Sequence, residues 1–154
     1  VPKIRISSIG ALYQGQTCHG TSIRDFELFT HEAAYLCGHN IFAQDLPYLE
    51  KAGIGTTFLN KEFIDTLYLS PLFFPNRPNH RLVKDYQLLG DHLNNPVTDS
   101  QLAKEVLEES VEAWQLLPLD LLDIYSGLLG TEQYFEAFFK LFPNILYCGP
   151  SRLI

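Results

Sequence analysis

Between residues 34 and 74 the chain twice runs from a short apolar stretch, through polar residues, into an apolar segment of helical spacing. The first passage is "AYLCGHN" leading to "AQDLPYLEKAG", and the second is "FIDTLYLSPLFF". A strand-length apolar run followed by a helix, used twice, commits a chain to layered α and β structure. In the first passage Leu46, Leu49 and Ala52 recur at intervals of three. Pro47 suits a first helical turn and Gly53 suits a helix stop. In the second, Asp65 stands at the junction of strand and helix.

The flanking segments extend this pattern. "RISSIGALY" followed by "YQGQT" reads as a strand and a hairpin turn, with "QTCHGTS" as the return strand. "SIRDFELFTHEA" sets Ile23 and Phe26 at helical spacing behind Ser22, a good N-cap. The clearest helix is predicted for "TDSQLAKEVLEESVEAWQLL", residues 98–117. Its apolar stripe is Leu102, Val106, Ala113 and Leu117, widened by Leu107 and Val111, with Asp99 at its start and Pro118 at its end. Two further helices are expected in "DLLDIYSGLL" and "TEQYFEAFFKLF", divided at Gly130. Phe135, Phe138, Phe139 and Phe142 fall at helical spacing and are expected in the core rather than as base-stacking rings. Strands alternate with helices and then helices take over. The expectation is an α/β core over residues 1–112 and a helical extension or linker over 113–154, whose Leu, Phe and Tyr cover the core or dock onto something else.

Composition narrows the function classes. A chain of 154 residues, 46% hydrophobic and 19% charged, suits one globular domain. Its apolar runs are too short and broken to span a bilayer, and no signal-peptide pattern is present. It begins at Val1 and contains no methionine, so it is expected to be a processed form or a piece of a longer product. Cys18, Cys37 and Cys148 are odd in number and widely spaced. They form neither a disulfide framework nor a zinc site, which points to a reducing cytoplasm. The net charge of -7 argues against a basic face that grips nucleic acid. It is compatible with carboxylates that hold divalent cations against a phosphate.

"GHNIFAQD" concentrates His39, Asn40 and Asp45 just after a strand. Asp45 and Asp99 both open helices, and in an α/β fold such positions lie where ligands bind, at one end of the sheet. Two carboxylates at one point suit a hard cation such as Mg²⁺. The structural alternative is that both are helix-start acids, favoured by capping and the macrodipole. Asp65 reads first as a cap, and for His39 the structural alternative is an imidazole bonded to backbone at a strand end. "NRPNHRLVK" gathers Arg77, His80, Arg81 and Lys84 in a loop, fit for a nucleic-acid backbone or for solvent. "HEAAYLCGH" matches H-E-x-x-H in its first two letters alone, since Tyr35 stands where the second His is needed.

The order "GHNIFAQDLPYL", "FIDTLYLS", "LNNPVTDSQLAKEVL" resembles the DnaQ-like 3′–5′ exonucleases, and more closely the exonuclease-like domain at the N-terminus of some bacterial RecQ-type DNA helicases. The resemblance spans about residues 4–112. It implies a ribonuclease H-like mixed sheet flanked by helices, with the family's first strand apparently missing. It implies metal-dependent hydrolysis of single-stranded DNA 3′ ends in repair or recombination, with Mg²⁺ or Mn²⁺ in a two-ion site. A helicase domain in the same polypeptide would be the partner, with no membrane involved. Asp45 and Asp99 would be metal-binding and catalytic. Asn40 would hold the strand-end loop or touch the nucleotide, His39 would meet the nucleic acid, and Arg77 and Arg81 of the basic loop could join them. Two departures stand out. No Asp-x-Glu strand precedes "KIRISSIGALY", so two of the family's four carboxylates are absent from this chain. The family's general base falls at Asn94, and His92, two residues out of register, is the candidate substitute. The same fold without the chemistry, as an interaction or regulatory module, is the alternative.

Overall fold

The computed structural model describes residues 4–82 and 95–143. The chain is a mixed α/β structure. An antiparallel hairpin of β1 (Ile9–Tyr13) and β2 (Gln16–Gly20) comes first. Its two-residue loop places Gln14 at φ 49° and Gly15 at φ 77°. Two successive left-handed residues match the twist of a tight hairpin, and glycine takes the second without strain. Helix α1 (Ile23–Phe29) follows, with the Ser22 side chain accepting from the Asp25 N–H as its N-cap. Strand β3 (Tyr35–Gly38) leads into a π-helical turn (Ile41–Asp45) and then α2 (Leu46–Ala52), which stops at Gly53 in the left-handed region. The short α3 (Thr56–Leu59) precedes β4 (Glu62–Asp65) and α4 (Thr66–Phe73). Helices α5 (Pro96–Gln115), α6 (Leu119–Leu129) and α7 (Glu136–Leu141) complete the described chain.

Strands β3 and β4 pair in parallel, Tyr35 opposite Glu62 through Gly38 opposite Asp65. They partition the interior. Phe63 and Leu36 belong to a core with Ile9, Phe26, Ile41, Leu49 and Phe58. The intervening residues Ile64, Tyr35 and Cys37 face a second core with Leu69, Trp114, Leu122, Phe138 and Phe139. Period-two alternation on a strand apolar on both sides is what a helix-covered parallel pair requires. Strand β1 follows the same division. Ile9 and Ala11 join the first core, while a Cβ on Gly10 would fall 2.8 Å from the Val97 nitrogen of α5.

The described strands form two two-stranded sheets, and among the described residues no strand hydrogen-bonds β1 to β3. The structure corrects the expected stripe on α5, which is rotated. Its buried residues are Ala103, Ser110 and Trp114, with Leu107, Val111 and Leu117 packed beside them. The indole sets this face: Trp114 is 3% exposed and donates through Nε1 to the Phe142 carbonyl at 3.0 Å. Ser110 survives in the stripe because its hydroxyl donates to the Val106 carbonyl at 2.7 Å. The phenylalanines behave as expected, with Phe138 and Phe139 buried and Phe135 and Phe142 packed against them. Helix α5 runs unbroken through residues 112 and 113, and the segments beyond it share the second core with β4 and α4.

Candidate functional site

Asp65 closes β4 and is fully buried. Its Oδ1 accepts the backbone N–H of Asn40 at 2.7 Å and of Leu67 at 3.0 Å, and its Oδ2 accepts that of Phe42 at 3.3 Å. The Leu67 bond is the expected N-cap of α4. The other two bonds join β4 to the turn after β3, and charge-assisted bonds of this kind are the stronger class. Asn40 sits at φ 65°, a region that asparagine tolerates better than most side chains. The turn also crowds Gly38, where an added Cβ would lie 3.1 Å from the Ile41 side chain.

The His39 ring lies behind this turn. Its Nδ1 is 2.9 Å from Thr66 Oγ1, and the ring makes a backbone hydrogen bond with His80. The Thr66 hydroxyl also reaches the Gly38 carbonyl at 3.3 Å. Burial holds the His39 imidazole below its usual range, against the charge of Asp65, the backbone hydrogen bond with His80 and the charge of Asp99, which all act to raise it. The His39 ring is thus tied to Thr66 and to backbone, the structural role open to it from sequence. His80 is itself anchored, with Nδ1 2.8 Å from Ser70 Oγ. Neither Thr66, Ser70 nor the anchoring role of His80 stands out in the sequence.

Asp45 ends the π-helical turn and occupies the N-cap position of α2, yet its side chain makes no cap bond. Asp99 lies in the first turn of α5, whose N-cap is Asn95, bonded to the Val97 N–H at 3.0 Å. Residues far apart in sequence are here electrostatically coupled. Burial, followed by the charges of Asp65 and Asp99, pushes the Asp45 carboxyl up to about 6. Much of the Asp45 surface remains open to solvent, so the neighbouring carboxylates are the firmer of these causes. Burial and then the Asp65 charge push the Cys37 thiol up to about 12, which leaves it an inert side chain.

Asp45 and Asp99 carry carboxylate oxygens, the donor type a hard cation takes, and both oxygens of Asp65 are engaged by backbone N–H groups. Among the described residues no group of three or more His, Cys, Asp or Glu is arranged to hold a metal ion. Two carboxylates suit one Mg²⁺ that keeps waters and a phosphate ligand. They do not fit a complete two-ion site. His92 and Asn94 lie outside the described residues, as do Lys84 and Cys148. Arg77 is engaged by Glu109 at 2.7 Å and stacks over Phe74, its Cζ 3.9 Å from the ring centroid. Arg81 is exposed. A separate cleft lined by Arg24, Glu27, His31, Phe58 and Lys61 opens where β3 and β4 begin, at the end opposite the acids. There the Lys61 ammonium donates to the His31 and Ala33 carbonyls.

Among the described residues no helix is long and apolar enough to cross a membrane. Neither a family model, nor a curated protein, nor a solved structure matches the chain.

Proposed function

We propose that this chain is a DnaQ-like, ribonuclease H-like exonuclease domain that contributes Asp45 and Asp99 to the cation-binding carboxylates of a 3′–5′ DNA exonuclease, within a RecQ-type helicase. The observation that carries the reading is the coupling of these two acids when neither supplies a helix N-cap. Acidic residues at helix starts are ordinarily explained by capping. Here Asn95 caps α5 and Asp65 caps α4, and the Asp45 side chain caps nothing. A carboxyl whose proton affinity is raised by burial and by neighbouring carboxylates favours a cation beside it.

The arrangement of the strands supports the fold part of the reading. β1 and β3 both pack on α5 and both contribute to the first core, but they are not bonded to each other. A further strand between them would join the hairpin and the parallel pair into one mixed sheet. The resemblance puts the two remaining carboxylates on such a strand. A bound cation would neutralise phosphate charge, while the Asp65-held turn keeps Asp45 in place. One observation favours the interaction-module reading: only two of four carboxylates come from this chain.

The test is digestion of 3′-labelled single-stranded DNA in Mn²⁺ by the full natural polypeptide that carries this chain, beside its Asp99→Asn variant. Stepwise shortening that Asp99→Asn reduces by at least about a hundredfold is expected. No shortening by a folded protein would replace the exonuclease with the interaction module.

A further inference from the structure

Three rings meet around Asp65. Phe42 lies in the π-helical turn and gives its N–H to Asp65 Oδ2. Tyr68 lies in the first turn of α4, next to Leu67, whose N–H meets Asp65 Oδ1. Tyr134 comes from the segment between α6 and α7. Tyr68 and Tyr134 stack, with ring centroids 4.5 Å apart and planes 3° from parallel. Phe42 stands at a steep angle to both, its centroid 6.5 Å from Tyr68 and 5.3 Å from Tyr134. The Phe42–Tyr68 distance is far short of the sum of the other two. Phe42 therefore flanks the stack and does not lie over the far face of Tyr134. Among the described residues no other ring meets Tyr134, which is 40% exposed. The next residue, Phe135, packs against the second core and meets Tyr68 edge-on at 6.0 Å. Tyr134 is thus braced on one face and one edge, and anchored through its neighbour, while its outer side meets solvent. A ring fixed in this way has little freedom left to lose on binding.

We propose that the outer face of Tyr134 is a stacking platform for a nucleobase of single-stranded DNA beside the carboxylate cluster. The choice of ligand rests on the proposed function. Charge sharpens it. The chain carries a net charge of -7, so phosphates are repelled wherever no cation stands between. A neutral ring offers affinity without that cost. Every base has a π-face, so stacking on an aromatic side chain is tolerant of sequence, which suits removal of any terminal nucleotide. Tyr68 and Phe42 are positioning residues that hold the plane of Tyr134. Their link to Asp65 ties that plane to the turn that carries Asp45.

The probe is an oligothymidylate of about ten nucleotides, within the span of a single-strand groove, with one 5-iodouracil placed in turn along the strand. Long-wave ultraviolet light couples this base to an aromatic ring stacked on it. The full natural polypeptide that carries this chain is irradiated with the probe in Ca²⁺, and adducts are located by mass spectrometry. An adduct on Tyr134 is expected. Tyr134→Phe should keep its yield within about twofold, since the π-face remains, and Tyr134→Ala should lower the yield in the same peptide at least about tenfold. Adducts confined to other residues, or an equal yield in that peptide from Tyr134→Ala, would overturn the proposal. Digestion of labelled DNA separates this inference from the nuclease reading. Shortening without a Tyr134 adduct overturns the platform alone. A Tyr134 adduct without shortening keeps the platform and removes the hydrolysis.

Discussion

Asp65 and the Asp45–Asp99 pair are carboxylates at the same end of the β3–β4 layer, and they are used in opposite ways. Asp65 is buried and fully bonded: three backbone N–H groups from two segments converge on it. Asp45 keeps much of its surface open to solvent, makes no cap bond, and is raised toward neutrality by burial and then by its acidic neighbours. The first arrangement stabilises a fold, because burying a charge is tolerable only when its hydrogen bonds are made. The second costs stability, because the charges of Asp65 and Asp99 act on Asp45 with the same sign as its own. Sites that cost stability in the resting protein are where function is sought. The contrast therefore separates scaffold from site within one cluster of identical side chains.

The largest expected effect is at the buried end. Asp65→Ala leaves three backbone donors without their acceptor and should cost about 3–5 kcal/mol, since each orphaned buried group costs about 1–3 kcal/mol. Urea denaturation checks it. A loss below about 1 kcal/mol would mean that water replaces the carboxylate easily, and that Asp65 is no more of a scaffold than Asp45.

Thr66→Val should have the next largest effect. Thr66 is fully buried, and valine keeps its shape while removing the hydroxyl that meets the Gly38 carbonyl and His39 Nδ1. A loss of about 1–2 kcal/mol is expected in the same denaturation experiment. Stability within about 0.3 kcal/mol of the parent would instead make the Asp65 bonds sufficient on their own to hold the turn.

These roles differ in how far they could be read from sequence. Local signals were legible. Ser22 caps α1, Gly53 stops α2 and Asp65 caps α4, because each depends on neighbours within a few residues. The apolar spacing of Phe138 and Phe139 likewise pointed to the core. Long-range dependences were not legible. The donors that make Asp65 a hub include Asn40 and Phe42, from the other strand's exit. Helix α3 has no legible sequence signal because it is four residues long and is preceded by Gly55 as its N-cap, whose N–H is held by Glu27 of α1 at 2.6 Å. The α5 stripe was misplaced by periodicity alone. Ala103 and Ser110 are weakly apolar, and they are buried because the neighbouring Trp114 fixes which face turns inward. The acid pair was legible as two helix starts, but its coupling depends on packing that brings α5 beside the turn after β3.

The smallest effect has the opposite sign, and it decides the comparison. The Asp45 carboxyl ionises near 6 in the folded chain and near 3.8 when unperturbed. Between those values the folded state holds more protons than the unfolded state, so stability falls as pH rises from about 4 to about 6 and is level above. A fully buried carboxyl displaced this far would forfeit about 3 kcal/mol. Solvent access to Asp45 reduces the expected figure to about 0.5–1 kcal/mol. Asp45→Asn removes the titrating group while keeping its shape. The variant should match the parent at pH 4 and exceed it at pH 7 by about 0.5–1 kcal/mol in urea midpoints converted to free energy. A variant less stable than the parent at pH 7 would make Asp45 a bonded structural acid like Asp65. A gain of equal size at both pH values would assign the effect to packing rather than charge. A gain confined to high pH identifies Asp45 as the strained member of the cluster, held against its own electrostatics where a cation would relieve it.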